Sequence, residues 1–106
     1  MLMLKPGVRI TGLRPEILFA IVAAERAYQK AGHDCVLTAC VDGRHTTGSL
    51  HYAGLAVDLR TRDVPAAELK DLLACIRDSL GPDYDVILEA DHLHIEFQPK
   101  LSLTNA

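Results

Sequence analysis

A chain of 106 residues that is 49% hydrophobic and 24% charged has the make-up of one globular domain and not of a disordered or fibrous segment. A net charge of −3, with no tryptophan and no basic cluster, excludes the footprint of a nucleic-acid binder. No stretch approaches the roughly 20 apolar residues that span a bilayer, and Met1 to Pro6 is too short for a secretory signal, so the expectation is a product made in the cytoplasm without a membrane span.

Pro15 stands at a first helical position, and Ile17, Leu18, Ile21, Ala24, Ala27, Tyr28 and Ala31 recur at helical spacing until Gly32, which predicts a helix over residues 15–31. Residues 35–41 are short and apolar between Asp34 and Asp42-Gly43, the marks of a strand between turns. Asp42 to Tyr52 is polar and contains glycine, so it reads as an ordered loop. Leu55 to Leu59 reads as a second strand that ends at the charged Arg60-Thr61-Arg62-Asp63. Pro65 then opens a second helix with a stripe of Leu69, Leu72, Leu73, Ile76 and Leu80, terminated by Gly81-Pro82. Tyr84 to Leu88 and His92 to Phe97 read as two further strands joined through Glu89-Ala90-Asp91, and the tail from Pro99 as loosely ordered. The fold class is α+β, a single domain over residues 1–106 with two helices packed on a small, mostly antiparallel sheet of about four strands. Cys35, Cys40 and Cys75 are odd in number and set among Val, Leu and Ala, which reads as buried free thiols.

The chemistry concentrates in two segments. In the last strand, alternation turns His92, His94 and Glu96 to one face and Leu93, Ile95 and Phe97 to the other, so one face is core and the other is available for a metal. Upstream, His51 lies in the loop and Asp58 near the end of a short strand, with Gly54 between them able to take positive φ or a close backbone approach. Two imidazoles and one carboxylate give zinc three protein ligands and leave its fourth position open. A solvated strand face with incidental histidines, and a surface histidine beside a capping aspartate, are the plainer readings of the same residues.

The run Ser49-Leu50-His51-Tyr52-x-Gly54-x-Ala56-Val57-Asp58, followed by His92-x-His94, resembles the zinc peptidase superfamily of D-alanyl-D-alanine metallocarboxypeptidases, phage endolysin peptidases and the hedgehog signalling domain. The resemblance covers residues 34–97 and implies a hedgehog/DD-peptidase-like fold with one zinc ion on His51, Asp58 and His94. It implies that His92 stands beside the metal and assists the polarised carbonyl, and that the general base is Asp91, three positions before the last ligand, with Glu89 as its competitor. Arg44 and His45, in a segment similar to the corresponding hedgehog loop, and Ser49 are the substrate-side candidates, Arg44 because a guanidinium can grip a carboxylate in bidentate fashion. The implied activity is hydrolysis of an amide bond in the peptide of bacterial peptidoglycan, of the D-Ala-D-Ala carboxypeptidase or L-Ala-D-Glu endopeptidase type, as in phage-encoded enzymes that meet the cell wall after release. The rival implication is a non-catalytic zinc-binding module of hedgehog type, and a purely structural metal is the third reading. Oligomeric state is not legible in the sequence.

Overall fold

The computed structural model describes residues 1–42 and 48–100. Its elements, in chain order, are β1 (Leu2–Leu4), α1 (Pro15–Ala31), β2 (Cys35–Ala39), β3 (Ala56–Arg60), α2 (Ala66–Leu80), β4 (Tyr84–Leu88) and β5 (His92–Phe97). They form an α+β arrangement in which two helices pack on one five-stranded mixed sheet of order β1-β2-β3-β5-β4. The strand count is therefore five and not four. The additional strand, β1, pairs parallel to β2 from Leu2↔Cys35 to Leu4↔Leu37, whereas the other three pairings are antiparallel. All three residues of β1 are exposed, so the alternation that betrays a half-buried strand is missing from Leu-Met-Leu, and its partner lies more than thirty positions away.

Local chemistry explains the helix limits. Pro15 occupies the first turn of α1, where its missing N–H costs nothing. Gly32 closes the helix in the left-handed conformation, φ 85°, and the His33 amide donates back to the Tyr28 carbonyl at 2.9 Å. The buried stripe of α1 is Ile17, Ala20, Ile21, Ala24, Ala27 and Tyr28; Leu18 and Ala31, which the predicted stripe included, are exposed, and Ala20 is buried in addition. α1 lies across β2, β3 and β5, and α2 packs on β4 and α1. Leu37, Val57, Leu59, Leu93 and Ile95 from the sheet meet this layer with Leu72 and Ile76 of α2 in one hydrophobic cluster. The Tyr28 hydroxyl adds a tether, donating to the Arg60 carbonyl at 2.8 Å at the end of β3. Among the described residues no helix is long and apolar enough to cross a membrane.

The helices take one face of the sheet, and Asp58, Arg60, His92, His94 and Glu96 share the other with Ala56 and Ile87. Register pairs Asp58 with His94 and Arg60 with His92 across β3 and β5, while Leu59↔Leu93 and Val57↔Ile95 point into the core. Between Leu37 and Ala39 the β2–β3 register shifts by one residue, a bulge on β2 directly beside Asp58. The tail is tied at its start, since the Lys100 amide donates to Asp83 Oδ1 at 3.0 Å and its ammonium to Asp85 Oδ1 at 3.2 Å; residues 101–106 lie outside the described residues.

Gly54 is the one described glycine against which other backbone packs closely. At φ 73° it already sits where side chains are strained, and a Cβ there would collide with the Gly12 carbonyl oxygen. Its own carbonyl accepts from the Arg14 amide at 3.0 Å, so the turn carrying His51 is locked against the entrance to α1. Gly54→Ala is expected to lower unfolding free energy by about 3 kcal/mol, because backbone must move to admit the methyl group. Denaturant titration measures this; an unchanged midpoint would mean that the close approach is not made.

Candidate metal centre

His51, Asp58 and His94 come together on the helix-free face, each offering a ligand atom within 4.8 Å of the others. Asp58 and His94 arrive as a cross-strand pair on β3 and β5. His51 arrives from the turn after residue 48, where the amides of Tyr52, Ala53 and Gly54 donate to the carbonyls of Ser49, Leu50 and His51. His51 and Asp58 are buried, 2% and 8% exposed, and His94 is half-buried, so the group is shielded without being sealed.

The hydrogen bonds define which nitrogen faces inward. His51 Nδ1 lies 2.7 Å from the Cys40 carbonyl oxygen, which can only accept, so Nδ1 carries the hydrogen and Nε2 presents its lone pair to Asp58 Oδ1 at 3.2 Å. His94 Nε2 lies 2.8 Å from Glu96 Oε1, and its Nδ1 lies 2.8 Å from the same Asp58 oxygen. With both rings neutral, two nitrogen lone pairs and a carboxylate oxygen converge on one region. Such convergence of acceptors calls for positive charge between them, supplied by protons on the rings or by a metal cation. The outer bonds, to a carbonyl and to a carboxylate, are the kind that orient metal-ligating histidines and raise their basicity. Two imidazoles and a carboxylate suit zinc and iron(II) alike, so the residues present fit a divalent ion of this class.

The metal-free site titrates accordingly. Burial pushes the Asp58 carboxyl up, but hydrogen bonds with His51 and His94 and the charge on the His51 and His92 rings outweigh it and hold the group well below its usual range. Hydrogen bonding to Asp58 raises the His94 ring above its ordinary value against the desolvation that would lower it, and Glu96 adds to the rise. The lowered Asp58 stabilises the fold above its unfolded pKa near 3.8 and loses that contribution as pH falls. The raised His94 stabilises the fold fully below its unfolded pKa near 6.5 and loses its contribution as pH rises through the folded value. Metal-free protein is therefore expected to be most stable between these two limits, and divalent-ion affinity to rise with pH as the His94 proton leaves. Melting curves from pH 4 to 8, with and without added zinc, check both signs; zinc binding that weakens toward pH 8 would contradict them.

Beside the triad, His92 Nδ1 lies 2.6 Å from Asp91 Oδ1, and its Nε2 stands 3.7 Å from Asp58 Oδ2. Asp91 is exposed, and its hydrogen bond with His92 holds its carboxyl below the ordinary range. Strict strand alternation would turn Asp91 away from His92, but the Glu89 amide bonds the His92 carbonyl at 2.9 Å, which leaves Asp91 in a two-residue hairpin loop and free of that alternation. Glu89 is exposed and does not line the cleft that opens onto Asp58 and His92. The Ser49 hydroxyl accepts the His51 amide at 3.2 Å, which gives it a part in fixing the ligand turn. Arg44 and His45 lie outside the described residues.

The cleft has a volume of about 360 Å³ and is lined by Asp58, Asp91 and His92 together with Lys5, Arg60 and Arg62. A larger hollow of about 650 Å³ runs along Arg77, Gly81, Tyr84 and Val86, away from the histidines, and its Arg77 guanidinium is committed to the Val86 carbonyl. The Cys40 carbonyl and Lys5 have no signature in the sequence reading, and Arg60 and Arg62 stand there only as the charged end of a strand. Glu96 had one, the alternation shared with His92 and His94.

The cysteines serve the site only through backbone. All three are free; Cys35 and Cys40 are buried, and burial first, with nearby carboxylates second, pushes their thiols up to about 12. Iodoacetamide at pH 8 is expected to modify the half-buried Cys75 first and to spare Cys35 and Cys40 until the chain unfolds. Equal labelling of all three in native protein, read by mass spectrometry, would contradict the burial.

Comparison of the chain with protein-family models and with curated proteins gives no match.

Proposed function

We propose that this chain is a zinc-dependent peptidase that hydrolyses an amide bond in the peptide of bacterial peptidoglycan, with His51, Asp58 and His94 holding one zinc ion. The observation that carries the reading is the convergence of His51 Nε2, His94 Nδ1 and Asp58 Oδ1, each ring backed by an outer acceptor, beside a cleft that Asp58 and His92 line. The choice of zinc and of peptidoglycan rests on the resemblance of the Ser49 to Asp58 run and of His92-x-His94 to the zinc peptidases. Zinc, when bound, supplies Lewis acidity that polarises a carbonyl and acidifies a water.

The chain's own groups account for the proton. Asp91 accepts the Nδ1 hydrogen of His92, which leaves the Nε2 lone pair on the side of Asp58. In this reading His92 takes the proton of the attacking water at Nε2 and returns it to the departing amine, and Asp91 stabilises the imidazolium between these events. In the same reading this imidazolium also supports the oxyanion that develops on the scissile carbonyl. Asp91 thereby acts through His92, a different division of labour from Asp91 or Glu89 as the direct base.

Incubation with purified peptidoglycan, followed by mass spectrometry for new amine termini or released D-Ala, tests the reading and identifies the bond. A non-catalytic module of hedgehog type would bind zinc and leave the polymer intact.

A further inference from the structure

Glu96, whose Oε1 accepts the Nε2 hydrogen of His94 at 2.8 Å, faces a second carboxylate. On the helix-free face of the sheet it stands opposite Asp85 of β4 in register, and like charges across an antiparallel pair are destabilising. Such repulsion works against any single fixed placement of the Glu96 side chain. The alternation that puts His92, His94 and Glu96 on this face carries on to Gln98, one residue past the end of β5. The Gln98 side-chain amide lies between the two acids, which offer it only acceptors. The hydrogen-bond network therefore assigns its nitrogen to the side that faces them, 3.2 Å from Glu96 Oε2 and 2.9 Å from Asp85 Oδ2. The two hydrogens of one amide group are thus shared between two carboxylates.

The bridge is itself held in place. The Gln98 backbone amide donates to the Asp83 carbonyl at 2.7 Å, which extends the β4–β5 ladder past Phe97. Its carbonyl accepts from the Lys100 ammonium at 2.7 Å, and the same ammonium reaches Asp85 Oδ1 at 3.2 Å. A continuous chain of hydrogen bonds therefore runs from Asp58 through His94, Glu96, Gln98 and Asp85 to Lys100. We propose that Gln98 is a positioning residue for the metal centre: by bridging Glu96 and Asp85 it fixes the carboxylate that holds the His94 Nε2 hydrogen, and so keeps the Nδ1 lone pair turned toward Asp58 and the ion. Gln98 acts through Glu96 and touches neither metal nor substrate. The bond made by one ring nitrogen sets what the other can ligate, so a looser Glu96 means a looser ligand. The inference rests on the metal-site reading for its effect on zinc and on the hydrogen bonds alone for the clamp.

Two readouts on the full chain test the clamp: zinc affinity, by competition with a chromogenic chelator, and exchange of the His94 Nε2 proton with water, by NMR on metal-free protein. Gln98→Leu keeps much of the side chain's bulk at an exposed position and removes its donors. It is expected to weaken zinc binding about fivefold, the typical net worth of one hydrogen bond, and to speed the proton exchange by a similar factor. Adding Asp85→Asn takes away the opposing charge and is expected to recover most of both losses, whereas a loss caused by a disturbed strand end would deepen with a second change there. A double variant no better than Gln98→Leu, or wild-type proton exchange in Gln98→Leu, would overturn the clamp. Faster exchange in Gln98→Leu, recovered by Asp85→Asn, in a protein that takes up no zinc would retain the clamp and remove the metal reading. Tight zinc binding that Gln98→Leu leaves unchanged would do the reverse.

Discussion

Replacement of any one of His51, Asp58 or His94 is expected to strip the protein of zinc. Wild-type protein refolded or dialysed against zinc should carry about one ion per chain, because three side chains with one open position make one tetrahedral site. His51→Ala or His94→Ala removes a ligand, and Asp58→Asn removes the negative charge that both rings face. Loss of the outer partner of a ligand alone costs about 10- to 100-fold in affinity, so loss of a ligand should cost at least about a thousandfold. Glu96→Gln, which perturbs only the outer partner of His94, should fall in the lower range. His33→Ala serves as the control, since His33 is occupied with Glu68 at 3.0 Å between the end of α1 and α2. Zinc content by elemental analysis reads the series, and full retention by both histidine variants would remove the ligand assignment. Tight, stoichiometric iron(II) with no zinc binding would move the site to another chemistry.

The second large effect falls on Asp91. Asp91→Asn keeps the shape of the hairpin but removes the charge that holds the Nδ1 hydrogen of His92 and supports the imidazolium. The expected loss is about 10² to 10⁴-fold in kcat, the range for a disabled acid–base group, with zinc content unchanged. Glu89→Gln should be mild, because Glu89 stays outside the cleft. His92→Ala should be at least as damaging as Asp91→Asn, and the double variant little worse than His92→Ala, since the two residues act as one unit. Additive losses would return Asp91 to an independent role, and a severe Glu89→Gln would move the base to Glu89.

Local signals carried much of this in the sequence. Pro15 and Gly32 bracket α1, and the last two strands were legible because their apolar residues alternate or cluster between turns. The strand-face argument placed His92, His94 and Glu96 opposite Leu93 and Ile95, and the structure has those leucine and isoleucine side chains buried. The remainder depends on contacts that no local pattern encodes. β1 exists because Leu2 to Leu4 finds Cys35 to Leu37 far along the chain. The Cys40 carbonyl reaches His51 just past a strand whose register has slipped beside Asp58, and one backbone carbonyl reads like any other in a sequence. Asp91 meets His92 because the hairpin loop releases it from the pleat. Arg60 and Arg62 read only as the charged end of a strand, and that they line one cleft with Lys5, which follows β1, no local pattern encodes.

The most direct measurement is the rate at which peptide bonds of purified peptidoglycan are cut, recorded by mass spectrometry on one preparation before chelation, after chelation and after return of zinc. The account predicts new amine termini or released D-Ala before chelation, none in the metal-free protein, and recovery on addition of about one equivalent of zinc. Undiminished cleavage by metal-free protein, or no new termini from a chain that holds its zinc, would contradict it.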